Sequence, residues 1–279
     1  MNPLRIAVLA ALLAACSESS APQGPADVQV STDLNPGLVD TALALIARNG
    51  GPRGERIPGM HAGVSSLPGA AGAPVRFTAL TEPWLKGKVA IPSPTGGMAL
   101  AHFAALYAAW GPERMEAWLK QLKANEPQIY PTDDEVRQAV VSGRAVVGLA
   151  ASDEAAKAAA SAAHVLLVYP NQKSIGTFVW PTALSVPKTA KNREAAQKLA
   201  ERLADRSIEQ LLVARVPGYL PLRSDIPVPP GVRSASNLVV ISVDPARIVS
   251  EIGQRKASLA AWAASIPKPL PAGAQAQTK

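Results

Sequence analysis

The chain has 279 residues, of which 48% are hydrophobic, 4% aromatic and 18% charged. That apolar content supplies a sizeable core and excludes disorder throughout, and the length allows one large domain or two modest lobes. One cysteine excludes an intramolecular disulfide framework, three histidines leave little for zinc or histidine-based catalysis, and a net charge of +7 raises the question of an anionic partner.

In chain order, the first signal is a leader. Arg5 supplies a short positive region, Ile6 to Leu13 an apolar run too short to span a bilayer, and Leu13-Ala14-Ala15-Cys16 resembles the bacterial lipobox. The sole cysteine stands where that motif takes its lipid. Residues 1–15 are therefore expected to be a lipoprotein signal peptide, with a diacylglyceryl group on Cys16 and palmitate-type acylation. The alternative is an ordinary signal with an accidental cysteine. Residues 16–26, rich in Ser, Pro and Gly, read as a tether. Such a leader places the body in the cell envelope or periplasm, anchored to a membrane by lipid.

The body alternates strand and helix signals. Val28–Ser31 is a strand candidate, and residues 36–48 carry apolar residues at helical spacing, with Asp33 or Asn35 available as caps. Gly51 to Pro74 has no period and reads as a long connection. Lys88–Ile91 is a strand, Pro92 to Gly97 a loop, Met98 to Trp110 a helix, and Gly111-Pro112 a break before the next helix. Thr132-x-x-Glu135 is a capping box opening a helix that Gly143 closes. Ala145–Ala150 is β-prone, Ser152–Ala163 an Ala-rich helix, and Val165–Tyr169 and Thr177–Val186 strands, the second interrupted by Pro181. Helices are expected at Asn192–Asp205, Ser207–Val216 and Pro245–Ser265, and residues 267–279 form a Pro/Ala/Gln tail. Alternation of this kind predicts an α/β fold with mixed or parallel sheets.

Three stretches carry a family resemblance. They are Leu80-Thr-Glu-Pro-Trp-Leu-Lys-Gly-Lys-Val-Ala-Ile-Pro-Ser-Pro-Thr-Gly-Gly97; His102 to Gly111 running on to Asn125; and Val140 to Leu149 with Val168-Tyr-Pro-Asn-Gln172 and Gly176-Thr-Phe178. Together they resemble the extracellular solute-binding proteins of ABC importers, in the branch that includes the periplasmic ferric-iron-binding proteins. The resemblance implies a two-lobed periplasmic-binding-protein fold, mixed sheets flanked by helices, closing on a solute. It assigns residues 27–77 plus 181–230 to one lobe, 78–180 to the other and 231–266 to a C-terminal helix region. Relatives carry a longer stretch ahead of the Trp84 motif, so the first lobe is expected to be truncated.

The resemblance also nominates site residues. Thr95, Gly96 and Gly97 open a helix whose free N–H groups suit an anion, as in the ferric-binding relatives; the alternative is plain capping by Thr95. Ser152, Asp153 and Glu154 follow a strand, and the iron-ligating tyrosine pair of those relatives falls on Asp153 and Glu154. Carboxylates there can meet hard cations, or can simply complement a helix dipole beside a Ser152 cap. Asp33 and Asn35 fall where relatives place first-lobe contacts, and Tyr169 and Thr177 flank a turn able to line the cleft. Thr132 and Asp133 fall near another anion contact of relatives, but their capping role is the better reading. His102 is expected to pack rather than ligate, and His61 and His164 share no metal-binding spacing with it.

No G-x-S-x-G, P-loop or post-strand G-x-G-x-x-G is present. An enzyme is not expected, nor a cofactor beyond the lipid, and nucleic acid has only the net charge to recommend it. The function expected is a lipid-anchored receptor that passes a small anionic or metal-containing solute to an ABC permease in the inner membrane. The alternative is an envelope lipoprotein that keeps the fold, has lost solute binding and serves an interaction role.

Overall fold

The computed structural model describes residues 28–32, 42–43, 45–48, 54–58, 65–69, 75–162, 165–180 and 184–269. The chain divides into two compact units: Met1–Gly59 with Leu184–Ile208, and Met60–Ala183 with Glu209–Lys279. In the first unit β1 (Val28–Thr32) and β2 (Gly54–Pro58) pair in parallel, with Val28 opposite Gly54 and Thr32 opposite Pro58. Parallel neighbours need a crossover. Residues 42–43 and 45–48 between them are helical, and Ala42, Leu43 and Ile46 are buried.

The second unit holds a six-stranded sheet built from β3 (Ser65–Gly69), β4 (Val89–Pro92), β5 (Gln128–Tyr130), β6 (Val147–Gly148), β7 (Ala150–Ala151) and β8 (Leu166–Val168). Its order is β5-β4-β6-β3-β7, with β8 paired to β3. β4 lies between β5 and β6 and is parallel to both, whereas β3 is antiparallel to β6, β7 and β8. All four residues of β4 are buried, which is why Val-Ala-Ile-Pro reads as a continuous apolar run rather than an alternating one.

Seven helices with defined bounds accompany these strands: α1 (Gly97–Trp110), α2 (Pro112–Ala124), α3 (Asp133–Val141), α4 (Ser152–Ser161), α5 (Arg193–Leu203), α6 (Arg206–Arg215) and α7 (Pro245–Ala264). In the first unit α5 packs on β1. In the second, α1 is buried continuously from Met98 to Ala108. A helix apolar on all sides belongs inside a core, and α7 packs along it. Alanines at 101, 104, 105 and 108 let the two approach, with Ile248 of α7 set among them. Leu259 of α7 joins Phe77, Leu80, Phe103, Leu106, Met115 and Leu122 in the main core.

Buried polar groups pin this core. The Trp118 indole N–H donates to the Phe77 carbonyl at 3.1 Å, and that of Trp262 to the Leu119 carbonyl at 3.1 Å. The Asn125 carboxamide donates to the Leu80 carbonyl at 2.8 Å, closing the 3-10 turn Phe77–Thr81. Trp84, central to the family motif, is half-exposed, its indole N–H bonded to Glu82 at 2.7 Å.

The structure departs from the sequence reading in four places. Residues 54–58 and 65–69, inside the expected connection, are strands. β3, expected in the first lobe, instead pairs within the sheet of the larger unit, and so does not stay with residues 27–59. β5 was not expected, having only three residues. The strand expected over Thr177–Val186 reduces, among the described residues, to one parallel bridge between Thr177 and Val240. Pro181 removes a ladder donor from that run.

Candidate functional site

Parallel strands send their carboxyl ends to one edge of a sheet, and in open α/β sheets ligands collect there. The loops after β4 and β5 and the start of α4 gather at this edge. The Ser93 N–H donates to the Tyr130 carbonyl at 2.8 Å, and the Ala151 N–H donates to the Asp133 carboxylate at 3.0 Å. Thr95, Thr132, Asp133 and Ser152 thus come from segments tied directly together.

The loop after β4 leads into α1 without a side-chain cap. Gly96 is the N-cap residue in extended conformation, and no side chain bonds the first-turn N–H groups. Thr95 does not cap: it is exposed, and its Oγ1 lies 3.3 Å from Ser93 Oγ. Gly97 has φ +56°, and a Cβ added at Gly96 or Gly97 meets nothing within 4 Å. The glycines therefore leave open space over a helix end whose partial positive charge no acidic residue of the first turn offsets. Chemically this is an anion-accepting surface.

The edge at Ser152–Glu154 has a different character. The N-cap of α4 is Ala151, not Ser152, and no side chain caps it. Ser152 is buried, and its carbonyl closely faces Gly218, where a Cβ would stand 2.4 Å from the carbonyl oxygen. The acids are committed to cations: Arg137 Nε lies 2.8 Å from Glu154, and Lys157 Nζ lies 3.1 Å from Asp153 and 2.5 Å from Glu154. Arg137 also binds Asp134. This chain of charges joins α3 to α4, and hydrogen bonding by Arg137 holds the Asp134 carboxyl below its ordinary range. Carboxylates so paired make a poor donor set for a hard cation. Among the described residues no group of three or more His, Cys, Asp and Glu side chains is placed to hold a metal.

At Thr132 the capping box forms in full: its hydroxyl accepts from the Glu135 N–H at 3.2 Å, and Glu135 accepts from the Thr132 N–H at 3.1 Å. Thr177 is fully buried, its hydroxyl donating to the Pro170 carbonyl at 2.7 Å and accepting from Gln172 at 2.9 Å. Tyr169 is buried beside Leu238, and that burial raises its phenol above the ordinary value. His102 packs, as expected: it is wholly buried, stacked on Phe178 at 5.4 Å and tilted against Phe77 at 4.7 Å. Burial lowers its pKa to about 3. Cys16, Asp33, Asn35, His61 and His164 lie outside the described residues. The partners Arg137 and Lys157 escaped the sequence reading. Lys157 had a signal in its helical spacing from Asp153 and Arg137 in its spacing from Asp134, whereas the pairing of Arg137 with Glu154 had none.

An α/β chain with an open helix terminus at the carboxyl edge of its parallel strands has the makings of a binding protein. Comparison with known sequences agrees. A sequence profile described as "Bacterial extracellular solute-binding protein" matches residues 65–244. Iron uptake protein A1 of Synechocystis sp. is 33% identical over 171 residues, covering 57% of this chain and 46% of that protein. The chain thus matches about half the length of that relative. Among solved structures, the ferric binding protein from Campylobacter jejuni superposes with TM-score 0.72 at 12% identity, over 85% of this chain and 99% of that one. The Bordetella ferric binding protein gives TM-score 0.64 at 20% identity, over 86% and 98%. Trichodesmium IdiA (FutA), solved with iron and citrate ligands, gives 0.67 at 16% identity, over 87% and 99%. At these identities the structures show a shared fold. The chain belongs to the family of bacterial extracellular solute-binding proteins, a family of binding rather than catalytic components.

Proposed function

We propose that this chain is the solute receptor of an ABC importer, tethered in the cell envelope by a lipid on Cys16, and that it holds an anionic solute at the N-terminus of α1. The observation that carries the reading is the uncapped helix end at Thr95-Gly96-Gly97, open to solvent and free of acidic neighbours in its first turn. Oriented N–H groups select charge and geometry without covalent chemistry. Relatives are named for iron, but the carboxylates at 153 and 154 are already paired. A bare ferric ion is therefore a poorer fit than an anion, or a metal carried as its anionic complex.

The same ion pairs favour a second reading, in which the chain keeps the fold, has lost solute binding and serves an interaction role in the envelope. Thermal unfolding of the purified chain against phosphate, phosphonate, ferric ion and ferric citrate separates the two. Binding raises the midpoint in a saturable way by mass action. Saturable stabilisation by an anion, weakened about tenfold or more in Gly97→Ala, supports the receptor. Unchanged midpoints with every one of these probes sink it.

A further inference from the structure

A cavity of about 720 Å³ lies within the larger unit; it shares Thr95 with the loop before α1, but neither Gly96 nor Gly97 lines it. Its floor is β5, the strand at the open end of the sheet order, and its walls are α3 and the last turn of α7. This volume lies in the range of small-molecule sites, which are mostly apolar with a few convergent polar groups. Here the apolar surface comes from Ile129, Ala260, Ala263 and Ile266.

Two cations line it, Arg144 and Lys268. Neither has a carboxylate partner among the described residues. Arg144 is half-buried, its guanidinium 5.9 Å from the centre of the Tyr130 ring and its Nε donating to Ser142 Oγ at 3.1 Å. That geometry fixes the group while leaving its terminal nitrogens for a ligand, and a guanidinium edge matches a carboxylate in two places. The one acid on the lining, Glu135, is turned to the capping box, its Oε2 accepting from the Thr132 N–H and hydroxyl. Lys268 follows the C-terminus of α7 and offsets the partial negative charge of that helix end, whose last turn holds no basic residue. The Ser93 and Thr95 hydroxyls complete the polar side.

We infer that this cavity is a second binding site, taking a compact organic carboxylate whose apolar body rests on β5 and α7 while its charge meets Arg144. The inference goes beyond the helix-terminus reading and does not depend on it. The test is calorimetric titration of the full chain with benzoate and hexanoate, and with benzamide as the uncharged control. Saturable binding of the carboxylates is expected, with benzamide much weaker. Arg144→Gln should lower affinity about tenfold or more, the worth of a charge-assisted hydrogen bond. Ala260→Leu should weaken binding by narrowing the cavity at its α7 wall. Melting midpoints of the variants serve as the folding control, and either cavity variant alone suffices. Absence of saturable heat at millimolar carboxylate overturns the inference, as does benzamide binding as well as benzoate. Binding undiminished in both cavity variants also overturns it.

Discussion

His102 sits in the core with neither ring nitrogen bonded. A neutral imidazole must carry one N–H, so a donor and an acceptor are both left dry, at a cost of about 1–3 kcal/mol each. The ring contributes instead by stacking on Phe178 and packing at a tilt against Phe77. Its folded pKa of about 3 lies below the unfolded value near 6.5, so the unfolded chain takes up the proton first. Stability from this residue is therefore complete above about pH 6.5 and falls as pH drops towards 3, at up to ~1.4 kcal/mol per unit. Denaturant titrations of the wild type and of His102→Leu between pH 4 and 7 should show a steeper loss for the wild type. Parallel slopes would reject the assignment.

Among elements, α3 offers the most direct test of a local signal. Its capping box satisfies two backbone donors reciprocally. Thr132→Ala should cost about 1 kcal/mol by chemical denaturation, without moving the anion affinity measured at the α1 terminus. A loss of affinity would make Thr132 a ligand contact. The box was legible because its two residues stand three apart in the sequence. The same locality made α1 and α2 legible through Gly111-Pro112, whereas the cap of α7, Asp244 accepting from the Ala246 N–H at 2.8 Å, went unread. β5 was not legible, because Gln-Ile-Tyr carries no signal of its own and owes its state to the parallel register with β4. β3 hid in Ser-Ser-Leu-Pro-Gly for the same reason. At the site, the open glycines could be read from sequence. The Lys157 pairs of Asp153 and Glu154 stand at helical spacing, but the bond from Arg137 to Glu154 could not be read, since it spans 17 positions.

At the scale of the molecule, the leader and the body make separable claims. If Cys16 carries the anchor, Cys16→Ser should move the chain from the membrane fraction to the soluble envelope fraction, and should leave its melting midpoint unchanged. Continued membrane association would place the anchor elsewhere. Among the described residues no helix is long and apolar enough to cross a membrane. With that anchor, the +7 charge would belong to a body held near a surface. There it raises the local concentration of anions whether or not they are the solute.

The placement of α7 bears on how such a chain reaches its compartment. Leu259 completes the main core, and Trp262 locks onto the α2 carbonyl at Leu119, 143 positions earlier. A polypeptide threaded through a translocase amino end first delivers these residues last. Until they arrive, α1 lacks the partner along its length and the larger unit cannot close its interior. If the leader directs export amino end first, the larger unit consolidates only after α7 has emerged, on the far side of the membrane.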